Sequence, residues 1–330
     1  MSDGPPVGTL IMSTTPPGEI PGLARLAEQS GFSQLWVAED YFFLGGFSAA
    51  AMSLAVTERI PVGIGIVSAL VRHPAVTAME IATIAGAFPG RFLPGIGLGV
   101  PGWVDQMGLT PKSVIATIRE CVDSVRALLN GEELTVEGKQ YTFKAVKLTH
   151  PPAVVPPIFT GAMQPRSLEL SGEVADGNVI GAMAPLEYVP WSLERMKVGA
   201  ERAGRADASL RAPMLGMFHC SVDGSTAKQE IRGVLAFYLS VWPRNVFTEM
   251  AGIADELEAM VAEGGAAKVA AEMPDAWVDT FTISGTPDEC AERIEQYVAA
   301  GAETVVLAPY DGARGRELME LAAKEVLPRL

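Results

Sequence analysis

The stretch that most constrains the fold is residues 60–102, which read IPVGIGIVSALVRHPAVTAMEIATIAGAFPGRFLPGIGLGVPG. The pattern predicts two short, glycine-bearing strands, at residues 62–67 and 91–96, on either side of a helix at residues 74–87. The helix begins with a proline, which is favourable at a first helical position because the N–H there has no partner. A strand, a crossover helix and a second strand form a βαβ unit, so the two strands are expected to be parallel.

The same alternation of strand-like and helix-like runs recurs along the rest of the chain. Main strands are predicted to begin at Val7, Ser33, Val62, Arg91, Ile158, Gly177, Ala212 and Thr304. Eight β/α units within 330 residues are typical of a TIM barrel, the (β/α)8 fold. A doubly wound open sheet, which usually has fewer strands, is the alternative α/β architecture.

Two insertions interrupt the alternation. Residues 131–150 alternate around a Glu137-Gly138 turn, which predicts a β-hairpin after the fourth β/α unit. Residues 225–284 read as mainly helical, with a short extra strand at residues 278–284, and a last helix is expected at residues 312–330. Residues 1–330 are expected to form one domain that carries these insertions.

The overall charge and the cysteine pattern exclude several classes of function. The net charge is −14 and there is no basic cluster, which argues against nucleic acid and anionic membranes as partners. The three cysteines are far apart and form no CxxC motif, so we expect no disulfide framework or structural zinc and a reducing, cytoplasmic location. No signal peptide or membrane-spanning run is visible. The three histidines are scattered and no HExxH motif occurs, so no metal site is expected. No GxSxG motif occurs either, which argues against a serine hydrolase.

The loop after the second strand combines acids with aromatic residues. In a TIM barrel the active site lies at the carboxyl ends of the strands, so residues in such loops are candidates for function. A carboxylate facing a planar ligand beside an aromatic wall is the functional interpretation. Solvated acids that cap the next helix are the alternative. The residues are Glu39, Asp40, Tyr41, Phe42 and Phe43.

The third strand and its loop contain glycines and a histidine. Gly63 and Gly65 are expected to share one face, where missing side chains leave room for a ligand or a close backbone. The opposite face is expected to carry Val62, Ile64 and Ile66. His73 precedes the next helix and is a candidate catalytic residue, with an ordinary structural role in the loop as the alternative.

The loop after the fourth strand matches GxGxxG at residues 97–102. In a dinucleotide-binding site this motif opens directly into a helix. Pro101 and Trp103 are expected to interrupt it, with the next helix beginning at Pro111, so we reject that interpretation. The glycines still predict a backbone that a flat ligand can approach closely.

The loop after the fifth strand is a turn of small residues that leads into a helix predicted at residues 165–174. Free N–H groups and the helix dipole at such a start favour an anion, so we predict a phosphate site. Arg166 and Ser167 are candidates for further contacts. An ordinary βα loop is the alternative.

Several segments together carry a resemblance to a known family. They are LARLAEQSGFSQLWVAED, RHPAVTAMEIATIAGAFPGRFLPGIGLG, GWVDQMGL, LTVEGKQYTF, PRSLELSGEVADG and SGTPDECAERIEQYVAAGAETVVLAP. The chain resembles the bacterial luciferase-like superfamily of flavin and deazaflavin oxidoreductases. The GVPGWVDQMGL run and the AEDYF loop are similar to the branch that uses coenzyme F420, a deazaflavin.

This resemblance implies a TIM barrel, usually dimeric, with the cofactor at the carboxyl ends of the strands. It implies a non-proline cis peptide near Ser68-Ala69, behind the cofactor ring. It also implies that the phosphate is held at Gly161, Ala162, Met163 and Gln164, in agreement with the prediction made from the loop itself. The full set of expected cofactor-binding residues is Asp40, Ser68, Ala69, Gly97, Leu98, Gly99, Val100, Gly161, Ala162, Met163, Gln164 and Arg166.

The chain also departs from that branch at two positions. Related deazaflavin dehydrogenases have a histidine where this chain has Asp40 and an acidic residue where it has Val100. The acid/base roles of those two residues therefore cannot be assigned to this chain. Glu39 or Asp40 is expected to move the proton instead. The substrate stays open.

The predicted function is a coenzyme F420-dependent oxidoreductase that moves a hydride between the deazaflavin C5 and a small organic substrate. An apolar substrate pocket is expected to be lined by Tyr41, Phe42, Phe43 and Trp103. An FMN-dependent monooxygenase and a non-catalytic flavin-binding barrel are the alternatives. Residues 225–276 are expected to form a lid, and a homodimer is expected.

Overall fold

The computed structural model describes residues 4–310 and 314–330. The strands are β1 (Val7–Ile11), β2 (Gln34–Val37), β3 (Val62–Ser68), β4 (Phe92–Gly97), β5 (Leu134–Glu137), β6 (Thr142–Val146), β7 (Phe159–Thr160), β8 (Gly177–Asn178), β9 (Pro213–Cys220), β10 (Ile283–Gly285) and β11 (Thr304–Pro309). The helices are α1 (Ile20–Gln29), α2 (Gly46–Ala55), α3 (Pro74–Ala87), α4 (Pro101–Gln106), α5 (Val114–Leu129), α6 (Pro165–Val174), α7 (Tyr188–Arg202), α8 (Gly224–Val241), α9 (Val246–Met250), α10 (Ala254–Glu272), α11 (Asp275–Phe281), α12 (Pro287–Ala299) and α13 (Gly315–Leu321).

Nine strands form one sheet in the order β10-β9-β11-β1-β2-β3-β4-β7-β8, and every pair in it is parallel. Two isolated parallel bridges, Gly177 to Arg211 and Ile180 to Met214, also join the region of β8 to that of β9. The sheet therefore curls until its β8 edge meets β9. Because helices follow most strands and cross over to the next, the predicted α/β class is confirmed.

Strands β5 and β6 lie outside this sheet. They pair with each other in an antiparallel, two-stranded sheet. Tyr141 fastens this β5–β6 pair to the main sheet, because its buried hydroxyl donates to the carbonyl of Ala69 at 2.6 Å. The loop that follows β3 is thereby supported from outside the main sheet.

Buried apolar side chains fill both surfaces of the curled sheet. The larger cluster lies between the strands and the surrounding helices. The smaller one fills the inside of the curl and consists of Leu10, Trp36, Ala38, Leu93, Phe159, Val179, Leu215, Val306 and Ala308. Met12, Ile66, Ala182 and Tyr310 pack against this inner cluster and are only partly buried. They therefore form its upper surface, at the carboxyl ends of the strands.

Strand β3 departs from the predicted alternation. Its pairing with β4 shifts register between Ile64 and Val67, as at a β-bulge. Ile66 therefore packs with the inner cluster, while Ile64 and Val67 pack with the outer one. The expectation that Ile66 shares a face with Val62 and Ile64 was wrong, because an irregular step reverses the two-residue period.

The space beside the strand glycines is occupied by protein side chains. A Cβ on Gly63 would meet the ring of Trp36, and a Cβ on Gly95 or Gly97 would meet the side chain of Ile66. The glycines of β3 and β4 thus admit Trp36 and Ile66 into the inside of the curl. The non-proline cis peptides lie at Tyr41-Phe42 and Gly65-Ile66, so the expected position near Ser68-Ala69 was wrong.

Three element boundaries also differ from the prediction. A six-residue helix, α4, begins at Pro101, so the proline starts a helix instead of interrupting it, and α5 begins at Val114. Much of the expected strand at residues 278–284 belongs to helix α11, and β10 begins at Ile283. The last helix begins at Gly315, while the predicted start at residue 312 lies outside the described residues. Within the described ranges, no helix is long and apolar enough to cross a membrane.

Candidate active site

Three consecutive strand-end loops meet beside the inner cluster. The Ala69 N–H donates to the Gly97 carbonyl at 2.7 Å, and the Ser68 hydroxyl donates to the Leu98 carbonyl at 2.6 Å. Gly99 has a φ of +84°, and a Cβ there would lie 3.0 Å from the ring of Tyr41. Gly99 therefore allows both the left-handed backbone and the close approach of the loop that follows β2.

The loop after β7 joins this group through its main chain. The Gly161 N–H donates to the Ile96 carbonyl at 3.3 Å. The buried Asn178 amide accepts from the Ala162 N–H at 2.6 Å and donates to the Ala162 carbonyl at 3.0 Å. Tyr188 donates its hydroxyl to the Met163 carbonyl at 2.8 Å. These contacts fix the shape of the loop.

Helix α6 begins directly after this loop. Pro165 is its first residue, and the side chain of Gln164 makes no capping hydrogen bond. The first-turn N–H groups have no acceptor within the helix, and the helix dipole favours an anion beside them. Gly161, Gln164 and Arg166 are exposed at this point. The loop and the helix start are therefore suited to holding a phosphate.

Asp40 is a largely buried carboxyl group at the same edge. Ser13, just beyond β1, donates its hydroxyl to Asp40 Oδ2 at 2.6 Å. Burial raises the pKa of Asp40 above its usual value; the Ser13 hydrogen bond opposes that rise, and the charge of Glu39 adds to it. A carboxyl group with a raised pKa is a candidate for moving a proton near neutral pH.

Two tyrosines face Asp40 from other elements. The rings of Tyr238, on α8, and Tyr310, just after β11, lie 5.1 Å apart. Burial raises the pKa of both hydroxyls, and the charge of Asp40 raises each further. Asp40 is thus hydrogen-bonded to Ser13, and its charge influences the two tyrosine hydroxyls.

Glu39, the neighbour of Asp40, is enclosed in a different environment. Arg72 donates to its two oxygens at 2.8 and 3.0 Å, and the Gly46 N–H at the start of α2 donates at 2.8 Å. Only 3% of the Glu39 side chain is exposed. Both of its oxygens are therefore engaged in holding α2 and the loop that follows β3.

His73, the third catalytic candidate, caps helix α3. Its Nδ1 accepts from the Ala75 N–H at 3.2 Å, and its Nε2 lies 3.2 Å from the Thr142 carbonyl. The ring also packs edge-on against Tyr141 and Phe143. These contacts attach His73 to the β5–β6 pair.

The expected pocket aromatics differ in exposure. The Tyr41 ring is partly buried against Gly99. Phe42 and Phe43 are 67% and 56% exposed, and the Phe43 ring lies 6.1 Å from that of Trp103. Val100, also expected at the cofactor, is exposed just before α4. Together these side chains form one apolar rim beside the loop that follows β2.

Sequence reasoning missed five residues of this region. Two of them follow predicted strands directly, so position alone would have marked them; they are Ser13 and Tyr310. The other three, Asn178, Tyr188 and Tyr238, give no local signal because their partners are distant in sequence. Together the region offers a floor formed by Ile66 and main chain, a protonatable carboxyl group and an anion-favouring helix start, as a planar ligand with an anionic tail requires.

Comparison with known proteins agrees with this architecture. A sequence profile of the family described as luciferase-like monooxygenase matches residues 4–304. The chain belongs to this family. Members of the luciferase-like family with named activities are similar to it along nearly their whole length.

Two characterised relatives and one solved structure illustrate the similarity. The chain is 29% identical over 327 residues to a 5,10-methylenetetrahydromethanopterin reductase of Methanolobus tindarius, covering 97% of this chain and 99% of that protein. It is 29% identical to an F420-dependent glucose-6-phosphate dehydrogenase of Nakamurella multipartita, covering 95% and 93%. The coenzyme F420-dependent tetrahydromethanopterin reductase structure from Methanopyrus kandleri superposes with a TM-score of 0.85 at 24% identity, covering 98% of each chain, which supports the fold.

Proposed function

We propose that this protein is a coenzyme F420-dependent oxidoreductase acting on a small organic substrate. The observation that carries the proposal is that the loops after β2, β3, β4 and β7 meet at one edge of the sheet, where Asp40 has a raised pKa. Full-length similarity to an F420-dependent dehydrogenase supports the choice of cofactor. When bound, the deazaflavin supplies hydride transfer at its C5, and the protein supplies orientation and the proton.

The cofactor would be held by the meeting point of the strand-end loops. Main chain at Ser68, Ala69, Gly97, Leu98 and Gly99 would lie behind the ring, with Val100 at the edge. The phosphate would lie at the start of α6, where free N–H groups and the helix dipole favour an anion. Its partners there would be Met163, Gln164 and Arg166, beside Gly161 and Ala162, whose N–H groups already donate to Ile96 and Asn178.

Asp40 is our proposed acid/base residue. Ser13 engages its Oδ2, so we assign the proton to Oδ1, with Tyr238 and Tyr310 limiting access by water. We assign Glu39 and His73 to positioning, because hydrogen bonds to Arg72, Gly46, Ala75 and Thr142 already engage them. Tyr41, Phe42, Phe43 and Trp103 would contact the apolar part of the substrate.

We also propose the wider organisation of the molecule. The eight strands other than β5, β6 and β10 would form a closed (β/α)8 barrel, with the β5–β6 pair as a hairpin insertion and all elements in one domain. The protein would work in the cytoplasm, where its three free, buried cysteines stay reduced.

We extend the proposal to a lid formed by residues 225–276, because α8 from this region brings Tyr238 to Asp40. Cofactor would close the lid and slow its proteolysis. Unchanged cleavage of this region at saturating cofactor would count against a lid.

An FMN-dependent monooxygenase is the second candidate, and the description of the matching family favours it. Such an enzyme needs oxygen chemistry at the flavin C4a, which a 5-deazaflavin does not support.

Titration of the purified protein with coenzyme F420 and, separately, with FMN distinguishes the candidates. We expect tight deazaflavin binding, followed by fluorescence, with weak FMN binding. A preference for FMN together with substrate-dependent oxygen consumption would replace the proposal with the monooxygenase. Binding of neither cofactor would refute both.

A further inference from the structure

Exposed aromatic side chains are confined to two segments of the chain. Within residues 4–310 and 314–330, they are Phe42, Phe43, Phe237, Tyr238 and Trp242. The first two belong to the apolar rim beside the loop that follows β2. The other three lie near the end of α8 or directly after that helix. Single exposed apolar residues are ordinary on a protein surface, whereas clusters of them mark binding sites.

The exposed surface of α8 changes character along the helix. Up to position 233 its exposed residues are polar or small, and they are Ser225, Thr226, Gln229, Glu230 and Gly233. After that position they are large and apolar. We call them, together with the residue that follows the helix, the α8 apolar face, which consists of Phe237, Tyr238, Val241 and Trp242. Phe237 and Val241 are four residues apart, so they lie on the same side of a helix whose outer surface would normally be polar.

Tyr238 connects the α8 apolar face to Asp40. Its ring lies 5.4 Å from that of Phe237 and 5.1 Å from that of Tyr310. Burial raises the pKa of both tyrosine hydroxyls, and the charge of Asp40 raises each further. A charge has this effect only on groups that lie near it. The α8 apolar face therefore begins beside the proposed acid/base residue.

The order of the strands places Asp40 between the two apolar surfaces. Along the sheet, β9, β11, β1, β2, β3 and β4 are successive neighbours. Helix α8 follows β9, Asp40 follows β2, and the rim residue Trp103 lies in α4, which follows β4. The loops proposed for the cofactor follow β3, β4 and β7, on the other side of Asp40 from α8. A ligand that covers the α8 apolar face therefore reaches the cofactor past Asp40.

The segments that carry the two apolar surfaces are uncharged. Residues 41–57, 92–104 and 233–243 contain no Asp, Glu, Lys or Arg. Arg72, which lies close to the site, is already paired with the carboxylate of Glu39. An ionic group on the body of a ligand would lose its hydration against these surfaces without gaining a charged partner from them. The two surfaces therefore favour a ligand whose body is apolar and uncharged.

We propose that the α8 apolar face and the apolar rim together bind the substrate, and that this substrate is an uncharged molecule with an extended, polycyclic apolar body. The inference rests on the oxidoreductase function proposed above, because it specifies the substrate class of that site. The reacting group would lie beside Asp40, next to the loops proposed for the cofactor. The body would cover the exposed rings, since aromatic side chains are stabilised by burial and by contact with a second ring system.

The first experiment titrates Nile red, an uncharged polycyclic dye that fluoresces in apolar surroundings, into the full-length protein. We expect saturable binding of one dye molecule per chain. Phe237→Gln combined with Val241→Gln should weaken this binding at least about tenfold, because two apolar side chains leave the contact surface while glutamine preserves the helix. Phe43→Gln, in the rim, should weaken it as well. Val154→Gln, at a similarly exposed apolar position outside both surfaces, is the matched control and should leave binding unchanged.

Titration of the same proteins with coenzyme F420 separates this inference from the proposed function. The double variant on α8 should bind the cofactor with unchanged affinity, because its two positions lie away from the loops proposed for the cofactor. Absence of saturable dye binding, or dye binding that only the rim variant weakens, would overturn the proposed substrate class and leave the F420-dependent function standing. Failure of the parent protein to bind F420, with the expected dye results intact, would refute the function and leave the site for an apolar ligand.

A second copy of the chain is the other occupant that the α8 apolar face could take. Sedimentation of the parent and of the double variant on α8 tests it. We expect both to sediment alike. A change from dimer to monomer in the variant, with dye binding unchanged, would identify the face as a subunit interface and overturn the proposal.

Discussion

Two adjacent carboxyl groups, in the loop that follows β2, face opposite surroundings. Successive side chains of an extended chain point to opposite faces, so Glu39 turns towards α2 while Asp40 turns to the open edge of the sheet. Arg72 pairs with the first through two hydrogen bonds. Ser13 donates to the second, which lies near two tyrosines. One backbone step thus separates a structural ion pair from a group able to exchange a proton.

Replacement of Asp40 by asparagine tests the proposed proton transfer. Asp40→Asn keeps the shape and the Ser13 contact but removes the titrating group. We expect kcat to fall roughly 10²- to 10⁴-fold, the usual contribution of a general acid or base, while the dissociation constant of the cofactor stays unchanged. Steady-state kinetics and fluorescence titration measure the two quantities.

Glu39→Gln is the control on the neighbouring carboxyl group. It leaves Arg72 without its charged partner and should lower the free energy of unfolding by about 3 kcal/mol, with kcat per folded molecule preserved. Equal losses of kcat in the two variants would contradict the separate roles.

Asp40 also makes stability depend on pH. Its raised folded-state pKa means that the native protein binds this proton more tightly than the unfolded chain. The resulting stabilisation is complete below the usual aspartate pKa and is lost as the pH rises through the raised value. Asp40→Asn should therefore be more stable than the parent at neutral pH, and the difference should vanish in acid. Urea unfolding at pH values from acid to neutral measures this difference in stability. If Asp40→Asn were less stable than the parent at neutral pH, the surroundings of Asp40 would favour its charged form.

At the scale of elements, the β5–β6 pair supports the loop that follows β3. One contact is the buried hydrogen bond from the hydroxyl of Tyr141 to the carbonyl of Ala69, and His73 of the same loop also lies against Tyr141 and Phe143. Ala69 in turn donates its N–H to Gly97 at the end of β4, and the neighbouring Ser68 hydroxyl donates to Leu98 in the loop that follows β4. A peripheral pair of strands therefore braces two loops of the candidate active site.

Removal of this hydroxyl gives an element-scale prediction. Tyr141→Phe should lower the free energy of unfolding by roughly 1–2 kcal/mol, because a buried carbonyl loses its donor. It should also weaken cofactor binding, since the loop that follows β3 loses its brace. Chemical denaturation and cofactor titration provide the measurements, with exposed Lys144→Ala as control. If the variant loses stability but binds the cofactor with unchanged affinity, the Tyr141 hydrogen bond does not support the cofactor site.

The elements also indicate what local sequence determines. Helices α3 and α6 begin and end where predicted. Each has a proline at its first position, which marks the start of the helix in the sequence. The orientation of Ile66 was not predictable, since the register shift in β3 arises from its pairing with β4. Sequence reasoning selected several of the loops that meet, but the hydrogen bonds of Asn178 depend on contacts between segments. The roles of the selected residues stay predictions.

At the scale of the whole molecule, helices α2 and α3 carry little charge. Helix α2 carries no charged residue, and Glu80 is the one charged residue of α3. Val76 and Met79 are 42% and 52% exposed on α3. Surfaces with little charge and exposed apolar side chains are found at interfaces between subunits, and we propose that the expected homodimer forms through α2 and α3.

Charge introduced into this face tests the dimer. Met79→Glu should shift sedimentation from dimer to monomer, because a carboxylate would be buried without a partner at the twofold interface. Val222→Glu, at an 86% exposed position after β9, is the matched control and should leave the sedimentation coefficient unchanged. A parent protein that sediments as a monomer would refute the dimer.

The side chain of Ile66 has a consequence for how such a chain varies. Gly95, Gly97 and Gly161 all lack a Cβ where that one side chain packs. A larger residue at Gly97 or Gly161 therefore demands a smaller one at position 66, whereas a Cβ at Gly95 would also meet the main-chain carbonyl of Ile64. A smaller residue at position 66 alone deepens the space beside these glycines. Substitution of Ile66 by a smaller residue is therefore a way to widen the range of molecules that the protein accepts, and it leaves the loops unchanged.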